Sequence, residues 1–250
     1  STAIGAYALT AQTTGSATDI YNTAVGHSAG KAITSGKYNT FVGGLAGDAT
    51  TTADQNTAVG YLALSANTTG ANNTAVGNSA LATNTTASYN AAYGALALTD
   101  NTTGGSNTAV GYGSLANNTT GASNTAVGTV SLEANTTGSY NVAVGQHALD
   151  NNTTADRNSA IGYQSLYTNT TGFRNTAVGY IALQDNTTGN RNVAVGEQAL
   201  TNNTTASDNT AVGEAAMASN TTGANNTAVG SDAGLSVTTG DRNVLLGYAS

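Results

Sequence analysis

The chain has no cysteine, proline or tryptophan, a single methionine, and charged residues at only 8% of its 250 positions. Without cysteine there is neither a disulfide framework nor a thiolate metal site. Six Lys and Arg against 13 Asp and Glu give a net charge of −7. That sign is wrong for a nucleic-acid partner, which requires a basic face to displace counterions from phosphate. The nearest approach to a long apolar run, residues 91–98, is interrupted by Gly94 and is far too short to cross a bilayer, so no membrane insertion is expected in this segment. Initiator methionine and signal peptide are both missing, and the sequence starts and stops inside a repeat pattern. A segment of a longer protein is the expectation, with any anchor, folding domain or tip lying elsewhere. Glycine does not recur every third residue, which excludes collagen. Disordered chains combine high net charge with abundant proline, whereas here the few apolar residues are strictly placed, which points to order.

What is present is a repeat. The stretch Asn175–Arg191 reads N-T-A-V-G-Y-I-A-L-Q-D-N-T-T-G-N-R, and its 17-residue period holds without slip from Asn22 to Arg242, giving 13 units. A longer unit, Ser1–Tyr21, precedes them and a partial one, Asn243–Ser250, follows. A fixed short period is the signature of a stacked repeat array, in which each unit contacts only its neighbours. Residues 1–250 are accordingly read as one array.

Numbering each unit from its Asn, position 4 is Val59, Val76, Val110, Val127, Val144, Ile161, Val178, Val195 and Val212, with Tyr93 as a variant. Position 2 is usually Thr but becomes Val142, Val193 and Val244, so alternation in a strand predicts that positions 2 and 4 share an inward face. Position 3 is nearly always Ala, with Leu245 as an exception, and position 5 is always Gly, marking a corner. Position 9 is Leu64, Leu81, Leu98, Leu115, Leu132, Leu149, Leu166, Leu183 and Leu200, then Met217, a second inward column. The N-T-T-[GA] segment at positions 12–15 fits a turn. Abundant Asn, Gly and β-branched residues with no 3.6-residue stripe argue against helix. The sequence therefore predicts an all-β fold, a parallel β-roll or β-solenoid of 17-residue coils. Each coil has a strand at positions 1–4, a glycine corner, a second strand near 6–9 and a turn, with Asn and Thr ladders outside. One Val and one Leu per coil is little burial for 17 ordered residues. Side-by-side packing of chains is expected to supply more, through the Ala columns at positions 3 and 8, with a homotrimer as a common solution for a fibre.

The N-[TV]-A-V-G motif with small polar spacers resembles the S-V-A-I-G head repeats of trimeric autotransporter adhesins. It is more similar still to the N-T-A-[VI]-G-Y-x-A-L-x-x-N-T-T-G arrays of tail-fibre-like proteins of phages and bacteria. The resemblance covers essentially the whole chain. It implies a trimer of left-handed parallel β-rolls in a fibre shaft or adhesive head, extracellular, on a virion tail or a bacterial surface, meeting a host cell-surface glycan or protein. The autotransporter repeat is shorter than 17 residues, so each coil here carries a longer loop.

No catalytic constellation is found, and an enzyme is not expected: G-x-S-x-G, the P-loop and the G-G-x-G-x-D calcium repeat are all missing. His27 and His147 lie in distant units and are read as solvated. Asp150, Asp185, Glu197 and Glu214 scatter over variable positions and serve solubility, so neither metal nor cofactor is expected. A β-helical polysaccharide lyase would need clustered carboxylates or a Lys/Arg–Asp set. The N-T-T triplets are formal glycosylation sequons but are read as bare turn residues. Thr columns also occur on ice-binding β-solenoids, yet the adjacent Thr at positions 13 and 14 are expected to point to opposite sides. One region departs from the pattern. Arg157, Arg174 and Arg191 occupy position 17 of successive coils, with Tyr163, Tyr167, Phe173 and Tyr180 around them. Aromatic faces beside guanidinium donors suit a sugar or carboxylate ligand. The plainer account is that Asp156 and Asp185 offset the Arg charges and the aromatics serve packing.

Overall fold

The computed structural model describes residues 1–13 and 19–250; part of the longer first unit, residues 14–18, lies outside them. The chain divides into two compact units, Ser1–Ser123 and Asn124–Ser250.

The first unit holds seven three-residue strands: β1 (Thr2–Ile4), β2 (Thr23–Val25), β3 (Thr40–Val42), β4 (Thr57–Val59), β5 (Thr74–Val76), β6 (Ala91–Tyr93) and β7 (Thr108–Val110). The second holds eight: β8 (Thr125–Val127), β9 (Val142–Val144), β10 (Ser159–Ile161), β11 (Thr176–Val178), β12 (Val193–Val195), β13 (Thr210–Val212), β14 (Thr227–Val229) and β15 (Val244–Leu246). Within each unit, consecutive strands pair in parallel and like positions meet, as in Ala58↔Ala75 and Ala177↔Ala194. Each unit is thus a parallel β-solenoid of 17-residue coils.

The inside of the coil is not where the sequence pattern places it. Position 3, the middle of the strand, is the inward one: Ala58, Ala75, Ala126 and Ala177 are fully buried. Positions 2 and 4 therefore point outward, and the expected inward column of Val59, Val76, Val110, Val127, Val144, Ile161, Val178, Val195 and Val212 is half-exposed or exposed. The reason is a parity set by asparagine. Asn at position 1 is itself buried: Asn158 Nδ2 donates to the Gly172 carbonyl at 2.8 Å, and its Oδ1 accepts from the Asn175 N–H of the next coil at 2.9 Å. With 1 and 3 inside, period-two alternation puts 2 and 4 outside.

Asn at position 12 is also buried, not on an outer ladder. Asn169 Nδ2 donates to Asn152 Oδ1 at 3.0 Å and to the Gly172 carbonyl at 2.9 Å. Two asparagine columns thus converge on one carbonyl column at position 15, keeping buried backbone and amide groups satisfied. The column ends where Val237 takes position 12, and Asn220 Oδ1 is left without a partner. Thr at position 13 forms a half-buried ladder, with Thr170 Oγ1 donating to the Thr187 carbonyl at 3.2 Å.

Position 9 completes the core: Leu64, Leu81, Leu98, Leu115, Leu132, Leu149, Leu166, Leu183, Leu200 and Met217 are fully buried. The expected second strand at 6–9 is replaced by turns. Positions 7 and 9 take left-handed backbone, as in Ile181 (φ 48°) and Leu183 (φ 53°). The alternation turns successive amides opposite ways along the ladder: Ile181 N–H donates back to Tyr163 O at 3.0 Å, while Leu183 N–H donates forward to Ala199 O at 2.9 Å. Left-handed backbone costs a non-glycine residue about 1–2 kcal/mol. Burying a leucine, about 1.5–3 kcal/mol, offsets that cost. Glycine is required at position 5. Gly26 has φ 136°, and a Cβ there would lie 2.5 Å from the Gly43 carbonyl oxygen of the next coil.

The Ala columns at positions 3 and 8, expected as contact surfaces between chains, are enclosed within each coil and unavailable for that purpose (Ala177 and Ala182 are fully buried).

Candidate functional site

With Asn, Ala and Leu inside, the outer surface of each coil is carried by positions 2 and 4 of the strand and by positions 6 and 17 on either side of it. Along the strand face the apolar side chains of Ile161, Val212 and Val229 are 43%, 37% and 42% exposed. Position 6 carries exposed Tyr61, Tyr112, Tyr163 and Tyr180, and position 17 exposed Tyr38, Tyr89, Tyr140, Arg157, Arg174 and Arg191.

The predicted patch separates into two groups. On the position-6 side, Tyr163 and Tyr180 stack with ring centroids 5.6 Å apart and planes 11° apart. Tyr167 meets His147 edge to face at 6.0 Å. His147 is not simply solvated: its Nδ1 lies 2.8 Å from Asp150 Oδ2. In the neighbouring coil, burial and the Asp150 charge push the Glu133 carboxyl above its usual range, with His147 opposing the shift. His27 is exposed, with its ring edge-on to Tyr7 at 5.7 Å.

On the position-17 side, the three arginines differ. Arg191 forms a bidentate pair with Asp208, Nε to Oδ1 at 2.6 Å and the second nitrogen to Oδ2 at 2.8 Å. That bond holds the Asp208 carboxyl below the ordinary carboxylate range. Arg157 lies over the Tyr140 ring at 5.5 Å and Arg174 over Phe173 at 5.7 Å. The expected neutralisation by Asp156 and Asp185 is not the arrangement seen. Asp156 Oδ1 accepts the Ser139 N–H at 2.7 Å, and Arg191 uses Asp208.

Arg157, Phe173 and Arg174 share a cleft of about 230 Å³ with Thr154, Ala155, Asp156 and Thr171. Tyr163, Tyr167 and Tyr180 do not line it. Tyr140 and Asp208 escaped the sequence reading, although the signal was present. Each stands 17 residues from an arginine in the same column, so reading that column one coil further in both directions finds them.

The sequon asparagines of the N-T-T segments, from Asn67 to Asn220, are buried with their side-chain amides in the ladder. They are therefore interior groups, not bare turn residues, and the folded chain does not present them for glycosylation. Among the described residues no group of three or more His, Cys, Asp or Glu is placed to hold a metal ion, and no helix is long and apolar enough to cross a membrane. Comparison with protein-family profiles, curated proteins and solved structures gives no match.

Proposed function

We propose that the chain is a structural and adhesive segment of a surface fibre, of a phage tail or a bacterial cell, assembled as a homotrimer through the outer face of its strands. The observation that carries this reading is the outward turn of positions 2 and 4, which leaves a repeating Thr/Val/Ile face uncovered. In the second unit, eight strands at about 4.8 Å spacing give a face about 34 Å long. With the residues beside each strand it covers on the order of 500–700 Å², approaching the ~800 Å² per partner of a standard interface. The occupant this face fits is another copy of the chain, because an identical repeat offers the same ladder spacing along its whole length. The resemblance of the N-T-A-V-G register to trimeric fibre repeats favours three copies.

Sedimentation equilibrium is expected to give the mass of three chains. Ile161→Lys with Val212→Lys, both on exposed positions, is expected to give folded monomers with unchanged circular dichroism. A wild-type monomer across the micromolar range overturns the reading.

A second reading is favoured by the same parity. Thr at position 2 and Val at position 4 stand two residues apart on one exposed face, about 6.6 Å along the strand and about 4.8 Å between strands. A two-dimensional grid of this spacing supports an ice-binding reading at strand positions 2 and 4 rather than at the adjacent threonines of positions 13 and 14. The two readings compete for one face. A monomer showing thermal hysteresis, lost in the lysine variants, supports ice binding. A trimer without hysteresis supports the fibre.

A further inference from the structure

We propose that the cleft around Phe173 binds a single pyranose ring carrying a carboxylate, as found in acidic surface polysaccharides. The site gives the adhesive role a ligand class, and it lies at positions 14–17, off the strand face used for self-association.

Position 16 is small in most coils (Ala71, Ser88, Gly105, Ala122, Ser139, Ser207, Ala224), and Phe173 is the one aromatic residue there. It remains 37% exposed, with an apolar ring facing the cleft. Arg174, in the same coil, lies over the Phe173 ring at 5.7 Å, and Arg157, one coil earlier, lies over Tyr140 at 5.5 Å. The two arginine backbones are about 4.8 Å apart along the ladder, and both side chains line the cleft. Among the described residues the ion pairs are His147–Asp150 and Arg191–Asp208, so neither of these guanidinium groups is neutralised by a carboxylate. Asp156 also lines the cleft, with its Oδ1 accepting the Ser139 N–H, so two guanidinium groups stand against one carboxylate and the lining is net positive. Two cationic forks beside an aromatic ring, on a chain of net charge −7, form a local attractor for an anion. A guanidinium prefers a planar two-oxygen acceptor, which a carboxylate supplies.

The rest of the lining selects a saccharide over a bare anion. Phe173 offers an apolar surface for the C–H face of a ring. Thr154 and Thr171, both exposed at position 14 of the same two coils, offer hydroxyls one ladder step apart. The volume of about 230 Å³ is below the ~300–1,000 Å³ of drug-sized sites, so it suits one ring, with neighbouring sugars left outside.

Saturation-transfer NMR on the whole 250-residue chain tests this with three probes: galacturonate, galactose and acetate. Galacturonate is expected to bind in the millimolar range, with galactose and acetate each at least tenfold weaker. Arg174→Ala and Phe173→Ala are each expected to weaken galacturonate at least tenfold. Arg174→Lys should recover only part of the loss, because one fork is replaced by a point charge. Tyr163→Ala, outside the cleft, should leave binding unchanged. Circular dichroism melts confirm that each variant is folded. Absence of transfer from galacturonate overturns the proposal, as does undiminished binding in a folded Arg157→Ala/Arg174→Ala double variant. Acetate binding as tightly as galacturonate overturns the saccharide assignment. None of these outcomes bears on the sedimentation result, so failure here is distinguishable from failure of the fibre reading.

Discussion

Phe41 shows how tightly one residue is tied to another in this interior. It stands at position 3, where the neighbouring coils have Ala, and it is fully buried. Space for its ring comes from position 9, which is Gly30 and Gly47 in place of Leu. A Cβ on Gly47 would meet Phe41 Cε1 at 2.5 Å, and one on Gly30 would meet Cδ2 at 2.8 Å. The same exchange recurs at the other end of the chain, where a Cβ on Gly234 would lie 2.6 Å from Leu245 Cδ1. Volume is therefore exchanged between position 3 and the position-9 sites it touches in its own and the adjacent coil. Phe41→Ala is expected to cost about 3–5 kcal/mol. Gly47→Leu alone should cost about 1–3 kcal/mol by overpacking. Together they restore the Ala–Leu pair of the other coils, at a φ of 57° close to the 54° of Leu64. A double-mutant cycle in urea should show a coupling that recovers more than half of the summed loss, and strict additivity would refute the volume exchange.

At the scale of the coil, the turn segment is held by hydrogen bonds to its neighbours in both directions. In the coil from Asn175, the N–H groups of Thr176, Leu183, Asp185 and Thr187 donate forward, and those of Gly179, Ile181 and Arg191 donate back. The segment therefore needs no strand geometry to remain fixed. Stacking also brings like charges together. Glu133 and Asp150 share position 10 of adjacent coils, and burial together with Asp150 raises the Glu133 pKa. A carboxyl raised in the folded state contributes stability while protonated, below its unfolded pKa, and loses that contribution as pH rises through its folded value. Ionised Glu133 is thus a mild liability at neutral pH. Glu133→Gln is expected to raise the melting midpoint at pH 7 and to leave it unchanged at pH 3; an equal shift at both values would sink the electrostatic account.

For the whole molecule, stability within each unit approximates a sum over coils and their nearest-neighbour contacts, because coils touch only adjacent coils. Deleting the complete coil 209–225 keeps the register, joins Asp208 to Asn226 and moves the unpartnered end of the asparagine ladder from Asn220 to Asn203. Such a variant is expected to keep its circular dichroism, with a midpoint within a few degrees of wild type. Deleting 209–216, about half a coil, leaves the remnant 217–225 too short to close a turn, and should uncouple the coils after it and lower the midpoint more than the whole-coil deletion does. A half-coil deletion that melts like the parent would refute the register argument.

The repeat by itself determined the period, the parallel all-β coil, the glycine corner and the leucine column, since each follows from composition and spacing along the chain. It also placed Arg157, Phe173 and Arg174 within one or two coils of each other, close enough to share the cleft. Which way the strand faces was decided only in three dimensions. Period-two alternation fixes that positions 2 and 4 share a face, but says nothing of whether that face is inner or outer. Hydropathy chooses Val over Asn for the interior, and the choice fails because the asparagine amides find complete hydrogen-bond partners inside. Asn158 and Asn169 converge on the Gly172 carbonyl, a contact between positions 1, 12 and 15 that exists only once the coil has closed. That closure buries the polar columns, leaves Thr and Val uncovered, and so creates the surface through which assembly is proposed.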